Sequence, residues 1–468
     1  MAWFIAALLI ALAAIVLLFD LVPVFRTWLA RIHIGRYEDA AGWEEAVRRT
    51  AVRWVGRTPT VKLTDQSRLV LVDRLRGQYS RSSIQQWQEG ALLLGLGEAL
   101  RLRPDGDAAR ELRRYLARRF LPDGSWRQPP ENVDAAILAY AVMKLPKVDA
   151  NHFRPAFDAV WAMIRRHLGE DGTAGYRKAM MSYRYVDTVG FICPFLTAYG
   201  VRFGRSECVE LALRQLREFE RHGLHPGLGI PCHAYQVDTR APLGLYGWGR
   251  GLAWFALGLA DTLSELPGAH PARPELTQMV AAYARAVLRL QQPSGAWTWA
   301  ATRPEAAADS SATAALAWFL ARAPLIGAAS EAGTASSISS VGLAGSSGPA
   351  NSASLASSAS STSSVGPASP ASSISPAGSG SLATSASAGA ERALAYLMRV
   401  TRRSGEIDFS QGDTKDIGVY SARFDILPFT QGFALRAHYA LNESKEMNRG
   451  HDSQARELCK SPAEPLAI

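Results

Sequence analysis

The feature that most constrains this chain is a repeated turn. Glycine-centred segments recur along it: "LPDGSWRQ", "GEDGTAGYR", "HPGLGIPCHAY", "QPSGAWTW" and "RRSGEIDFS". They are spaced roughly 50 to 65 residues apart, except for the last gap of roughly 110. Between the turns the periodicity is helical. "IQQWQEGALLLGLGEALRL" and "GLAWFALGLADTLSEL" place apolar residues at i, i+3, i+4 and i+7, and no segment shows sustained strand alternation. A helix–turn–helix unit repeated five or six times implies a solenoid or a closed toroid of paired helices. The reading predicts an all-α fold, an (α/α)6 barrel, with turns rich in Trp, Tyr and His lining a cavity at one end.

The long gap holds a tract rich in Ser, Ala, Gly and Pro, residues 326–389. It cannot bury enough apolar surface to fold, and is expected to be a disordered insertion in a finished barrel. Removing it restores the spacing. The barrel then spans 81–325 and 390–442, after an N-terminal helical segment over 26–80 and before a polar tail over 443–468. The N-terminus itself, "AWFIAALLIALAAIVLLF", is an uncharged apolar run long enough to cross a bilayer. No small-residue cleavage site follows it, so residues 1–25 read as an uncleaved transmembrane anchor. Arg26, Arg31 and Arg36 follow the run and no Lys or Arg precedes it, a bias that places the next domain in the cytoplasm.

Composition narrows the function. Net charge is +9, but the basic residues are scattered. Their densest cluster, "ARELRRYLARRF", spaces arginines between leucines as the wet face of an amphipathic helix does, so no nucleic-acid partner is expected. The four cysteines form no CxxC pair, which gives neither a zinc site nor a disulfide framework.

The candidate chemistry lies in the turns. Asp187 is the lone carboxylate in "MSYRYVDTVGFICPFLTAYG", and Asp134 precedes the apolar helix of "PPENVDAAILAYAVMKL". Each is capable of capping a helix. At equivalent points of successive units they would instead face one cavity as a like-charge pair, which raises a pKa as acid/base catalysis requires. His233 in "IPCHAYQVD" belongs to the next turn. In "YGWGRGLAWFALGLADTL", Arg250 and Trp254 are four apart and share a helix face, with Trp248 just before them. A guanidinium beside an indole suits a sugar carboxylate, and the flanking glycines would let a ligand approach the backbone. Trp297, Trp299, Ser311 and Thr313 are candidate wall residues, and Arg423 and Gln431 are placed to close the ring.

These residues also carry a resemblance. "RYVDTVGFICPFLTAYG", "PCHAYQVD", "YGWGRGLAWFALGLADTLSELP" and "DSSATAALAWFLARA" follow the order and approximate spacing of glycoside hydrolase families 88 and 105, the unsaturated glucuronyl and rhamnogalacturonyl hydrolases. The resemblance runs from about Trp87 to Tyr439 and implies the same (α/α)6 barrel. It implies an enzyme that removes a terminal 4,5-unsaturated uronic acid from oligosaccharides left by polysaccharide lyases. By this resemblance Asp187 is the general acid/base and Asp134 the second aspartate. His233 is the cavity histidine, Arg250 and Trp254 hold the uronate and stack on the sugar, and no metal or organic cofactor is implied. Val133 stands where family 88 often has His, "DTVGF" replaces the "DGxYM" common in family 105, and Arg240 replaces a usual amide or acid. These departures bear on substrate more than on reaction. The alternatives are a non-catalytic carbohydrate-binding toroid and a terpene-cyclase-like toroid enzyme, the latter suggested by "QQPSGAW".

Overall fold

In a computed structural model the chain is described over residues 1–59, 65, 68–77, 85–103, 106–338 and 379–460, the side chains of 325–338, 379–380 and 448–460 excepted. Among the described residues six helices form an inner ring: α4 (Gln86–Leu102), α6 (Ala135–Lys144), α8 (Val186–Phe203), α10 (Gly249–Glu265), α12 (Ser310–Ile338) and α14 (Pro428–Lys460). Each packs on the next, and α14 returns to α4, so the ring is closed. Over their stretch inside the barrel these helices are buried almost all round. Every residue from Ala135 to Met143 is buried, as is every residue from Gly249 to Leu263. A helix flanked on both sides and behind has no face left for water.

The outer ring is amphipathic. It comprises α2 (Ala40–Gly56), α5 (Gly106–Arg119), α7 (Arg154–Arg165), α9 (Ser206–Gly223), α11 (Arg273–Leu288) and α13 (Ser379–Arg399), each packed against inner helices. In α5, Ala108, Leu112 and Tyr115 are buried and the arginines face out, as the spacing predicts.

Three boundaries differ from the sequence reading. The barrel begins at α2, inside the segment set apart as 26–80. No glycine turn marks α2 as a repeat, because its inner partner α14 lies at the other end of the chain. Gln431 seals that junction, its Nε2 donating to the carbonyls of Val47 and Gly405 at 3.0 and 2.6 Å. The Ser/Ala tract is not disordered throughout, since 326–338 extend α12 and 379–389 begin α13. Ala386, Gly389 and Ala390 are buried there, a small-residue stripe that lets α13 lie close to the wall. Residues 339–378 of the tract lie outside the described residues. The polar tail continues α14 as a helix to Lys460.

Each outer helix from α5 to α13 leads through a glycine turn to the start of the next inner helix, and the head of α4 lies at the same end, so the inner N-termini gather there. Short strands tie these connections together: β1 (Tyr183–Tyr185), β2 (Ala234–Gln236) and β3 (Pro242–Leu243) form an antiparallel sheet, and β4 (Ser410–Gln411) pairs with β5 (Phe424–Asp425). At the other end the axis is plugged. Arg436 of α14 pairs with Asp261 of α10 at 2.9 Å, and its guanidinium lies 4.0 Å from the centre of the Trp318 ring on α12.

One further helix, α1 (Ala2–Arg31), is long and apolar enough to cross a membrane.

The seam between α4 and α14 depends on absent side chains. A Cβ on Gly432 would stand 2.0 Å from the carbonyl oxygen of Ala91, and one on Gly95 would stand 2.3 Å from that of Gly432. Gly432→Ala is therefore expected to destabilise the fold by at least about 1–3 kcal/mol. Gly268→Ala, with nothing within 4 Å, is expected to stay within about 0.5 kcal/mol of wild type. Urea denaturation of the two variants measures both.

Candidate active site

The β1–β2 pairing brings the first two site residues together. Tyr185 pairs with Ala234, and the Val186 N–H donates to the carbonyl of His233 at 3.0 Å. Asp187 follows in the first turn of α8, where Tyr185 rather than Asp187 occupies the cap position. Its carboxyl faces a cavity whose empty space, open mouth included, is about 510 Å³. Oδ2 is buried without a hydrogen-bond partner and lies 3.8 Å from His233 Nε2.

The histidine's protonation follows from its contacts. His233 Nδ1 accepts from the Gly418 N–H at 3.3 Å, so the neutral ring carries its hydrogen on Nε2, facing Asp187. Burial, assisted by the Arg250 charge, pushes its pKa down to about 4. Burial also pushes Asp187 up to about 7, against the opposing pull of Arg250.

Asp134 stands at the start of α6 but does not cap that helix. Burial raises it to about 7, although the backbone N–H groups of Trp87 and Gln86 at the head of α4 favour its charged form. It does not line the Asp187 cavity. It borders an adjoining cleft of about 1540 Å³, and the two share Gln85, Tyr176 and Arg177 as a common wall. The expected Asp134–Asp187 pair is thus replaced by a different arrangement. For each of them the leading like-charge neighbour is Asp413, in the loop between β4 and β5.

Asp413 is the group the sequence reading missed. It accepts from Gln85 Nε2 at 2.9 Å and from the Thr414 N–H at 3.0 Å, and burial raises its pKa. Its loop belongs to no repeat and carries no motif; the only signal is a cluster of charge, "GDTKD", before the last inner helix.

Arg250 holds that loop. Its two terminal nitrogens donate to the carbonyls of Gln411 and Gly412 at 2.7 and 2.9 Å, and the Asp413 carboxylate is 3.9 Å away. Two N–H groups expected to hold a ligand are therefore spent on backbone. The flanking glycines also serve the protein itself. A Cβ on Gly249 would meet the Thr298 carbonyl oxygen at 2.6 Å, and one on Gly251 the Trp248 ring at 2.8 Å.

Trp254 lines the cavity as expected. It belongs to an aromatic floor with Trp87, Phe191 and Phe429, at ring separations of 5.5, 4.6 and 4.9 Å, and its Nε1 has no partner. Three other expected contacts lie behind the wall. Trp248 donates to Gln411 Oε1, Trp297 to the Val287 carbonyl, and Ser311 Oγ to Asp309. Each is fully buried and lines no part of the cavity. Their polar atoms were needed to satisfy the connections, which outbids any ligand. Thr313 likewise bonds the Asp309 carbonyl, and Arg423 stays beside Asp425 at 3.7 Å. The half-buried Trp299 packs on Tyr420 at 5.7 Å. Arg177, also missed, is exposed at the rim.

The arrangement is that of a carbohydrate-processing toroid: an acid of near-neutral pKa over an aromatic floor, ringed by helix N-termini and arginines. A family model described as Glycosyl Hydrolase Family 88 matches residues 62–335, more than half the chain, and the chain belongs to that family. It is a glycoside hydrolase. Among solved structures it is similar to a possible family 105 member from Klebsiella pneumoniae, at 17% identity and TM-score 0.62, covering 87% of this chain and 95% of that one. It is also similar to an unsaturated glucuronyl hydrolase from Bacillus sp. GL1, responsible for the degradation of glycosaminoglycan, at 16% identity and TM-score 0.55, covering 85% and 94%. At these identities the likeness is one of fold. No curated protein matches the chain by sequence.

The buried acids make stability depend on pH. Asp134 is raised from 3.8 to about 7, so over that range the folded chain keeps a proton the unfolded chain has released. Its contribution is full in acid and is lost as pH rises toward 7. His233, lowered from 6.5 to about 4, acts in the opposite sense, contributing more as pH rises through that window. Asp134→Asn is expected to gain at least about 1 kcal/mol more stability near pH 8 than near pH 5, measured by urea denaturation at both.

Proposed function

We propose that this hydrolase removes a terminal 4,5-unsaturated uronic acid from oligosaccharides produced by polysaccharide lyases. The observation that carries the reading is Asp187: a buried carboxyl with an unpartnered oxygen, aimed into a cavity and poised near neutral pH. A group that must both give and take a proton works best with its pKa near the operating pH.

In this reading the Asp187 carboxylic acid donates its proton to C4 of the enol ether, and positive charge develops at C5 and the ring oxygen. The carboxylate so formed accepts a proton from water as the water oxygen bonds to C5. The net change is addition of water across C4=C5. The resulting hemiketal opens and expels the aglycone. The neutral His233 Nε2–H is placed to hold Asp187 or the incoming water, and Trp254 to offer its ring and Nε1–H to the sugar. Burial keeps Asp187 protonated, with Asp413 adding like-charge repulsion, and Asp134 orders the shared wall through the head of α4. The gathered N-termini of the inner helices favour an anion at this end of the barrel. Arg177, exposed at the rim, meets the uronate, with the Arg250 charge behind it.

The test follows the ultraviolet absorbance of the C4=C5 bond in unsaturated disaccharides from lyase digests. Wild type is expected to bleach it, and Asp187→Asn to be slower by on the order of a thousandfold. A folded wild type that bleaches no uronide in a broad panel would sink the proposal and leave a binding toroid. Arg177→Ala is expected to raise KM on the order of tenfold with little change in kcat. Asp413→Asn removes a like charge, lowers the Asp187 pKa and moves the basic limb of the pH–rate profile to lower pH by up to about 1 unit.

A further inference from the structure

A second set of observations lies away from the cavity, where α1 meets the barrel. The C-terminal end of α1 is tied to the barrel through Arg31. Arg31 Nε and a terminal nitrogen each donate to the buried Asp408 carboxylate at 2.8 Å, and that carboxylate is shared with Arg402. Arg31 also donates to the Phe424 carbonyl at 3.1 Å and lies 4.5 Å from the Phe409 ring centre. Just beyond, the Gly35 N–H donates to the Thr401 carbonyl. All these partners flank β4 and β5, at the cavity end of the barrel.

Higher up α1, Asp20 performs an unusual task. Its carboxylate accepts from the N–H groups of Leu69 and Val70 at 2.9 and 2.7 Å, heading the short helix α3 (Val70–Leu75). α3 is thereby pinned to α1 at the point where the apolar run meets its first charge. The Arg74 guanidinium lies 5.4 Å from the Phe19 ring centre. The outer face of α3 is apolar and exposed: Leu69 is 53%, Val72 36% and Leu75 81% accessible. Eighteen residues precede Asp20 in α1, about 27 Å of helix at 1.5 Å per residue, close to the thickness of a bilayer's hydrocarbon core. α3 therefore stands at the level where α1 would leave the hydrocarbon. Around it Arg26, Arg68, Arg74 and Arg76 are exposed, and Trp28 stacks on Phe25 at 5.6 Å, an arrangement suited to headgroups.

We propose that α3 is an interfacial helix: Leu69, Val72 and Leu75 enter the headgroup boundary of an anionic bilayer spanned by α1, and clamp the cavity end of the barrel against the membrane surface. The occupant of this apolar face is lipid, because the face is continuous with the exposed apolar surface of α1 and ringed by arginines. A domain held by α3 and by the Arg31–Asp408 pair cannot swing on a tether. Its cavity stays at a fixed short distance from the membrane, suited to glycan arriving at that surface.

The test uses the full-length chain in nanodiscs of phosphatidylcholine and phosphatidylglycerol. A nitrobenzoxadiazole label is attached at Leu75→Cys in a Cys459→Ser background, leaving Cys193, Cys208 and Cys232 buried. The matching control carries the label at Leu102→Cys, at the opposite end of the barrel and 63% exposed. The expected result is blue-shifted emission at position 75, quenched about twofold by lipids carrying a doxyl group near the headgroup, with no quenching at 102. Water-like, unquenched emission at 75 would overturn the proposal, as would quenching equal to that at 102. So would failure of the folded chain to associate with the discs. None of these outcomes depends on whether the cavity turns over a uronide.

Discussion

A closed ring of parallel helices leaves polar chemistry nowhere to go but the ends. The six inner helices are surrounded by neighbours, so their flanks are filled by Ala, Leu and aromatic side chains, with glycines such as Gly95 and Gly432 at the closest crossings. One end is sealed by the Arg436–Asp261 pair, whose removal of either partner would strand a buried charge at a cost of about 3–5 kcal/mol. The other end receives all the inner N-termini, and with them unpaired N–H groups and a positive field. The position of the site, its affinity for anions and the burial of its acids all derive from this arrangement.

Desolvation is the dominant influence within the site, and it acts in opposite directions on acid and base. The same apolar floor that raises Asp187 lowers His233, so the pair meets as a carboxylic acid and a neutral imidazole rather than as an ion pair. That distinction matters chemically. An ion pair would fix the proton on the histidine, whereas here it stays on the carboxyl that faces the cavity. Asp413, held between Gln85 and the Arg250-clamped loop, adds a negative neighbour to a place already poor in water.

The sequence was legible wherever the repeat held. The glycine turns, the helical periodicity of the inner helices and the amphipathic α5 were read from spacing alone; Asp187 stood out as the lone carboxylate of an apolar run, His233 as part of a turn and Trp254 by its spacing from Arg250. Reading failed where a residue's partner comes from elsewhere in the chain. α2 was read as a helical segment outside the barrel because its partner α14 lies nearly four hundred residues away. Trp297 and Ser311 looked like wall residues, yet they bond Val287 and Asp309 behind it. The glycines beside Arg250 make room for Thr298 and Trp248, and Arg250 itself grips the loop that brings in Asp413.

By itself the sequence determined the periodicity of the helices, hence the toroid, and the residue types at the turn ends, hence the class of chemistry. Such information is local, carried by i to i+4 spacing and by glycines that permit tight turns. Tertiary structure alone decided which side chains reach the cavity, which carboxylate neighbours which, and where α1 joins the barrel. Those outcomes depend on ring closure, which sets residues far apart in the chain within hydrogen-bonding distance and removes the water that would otherwise level their pKa values.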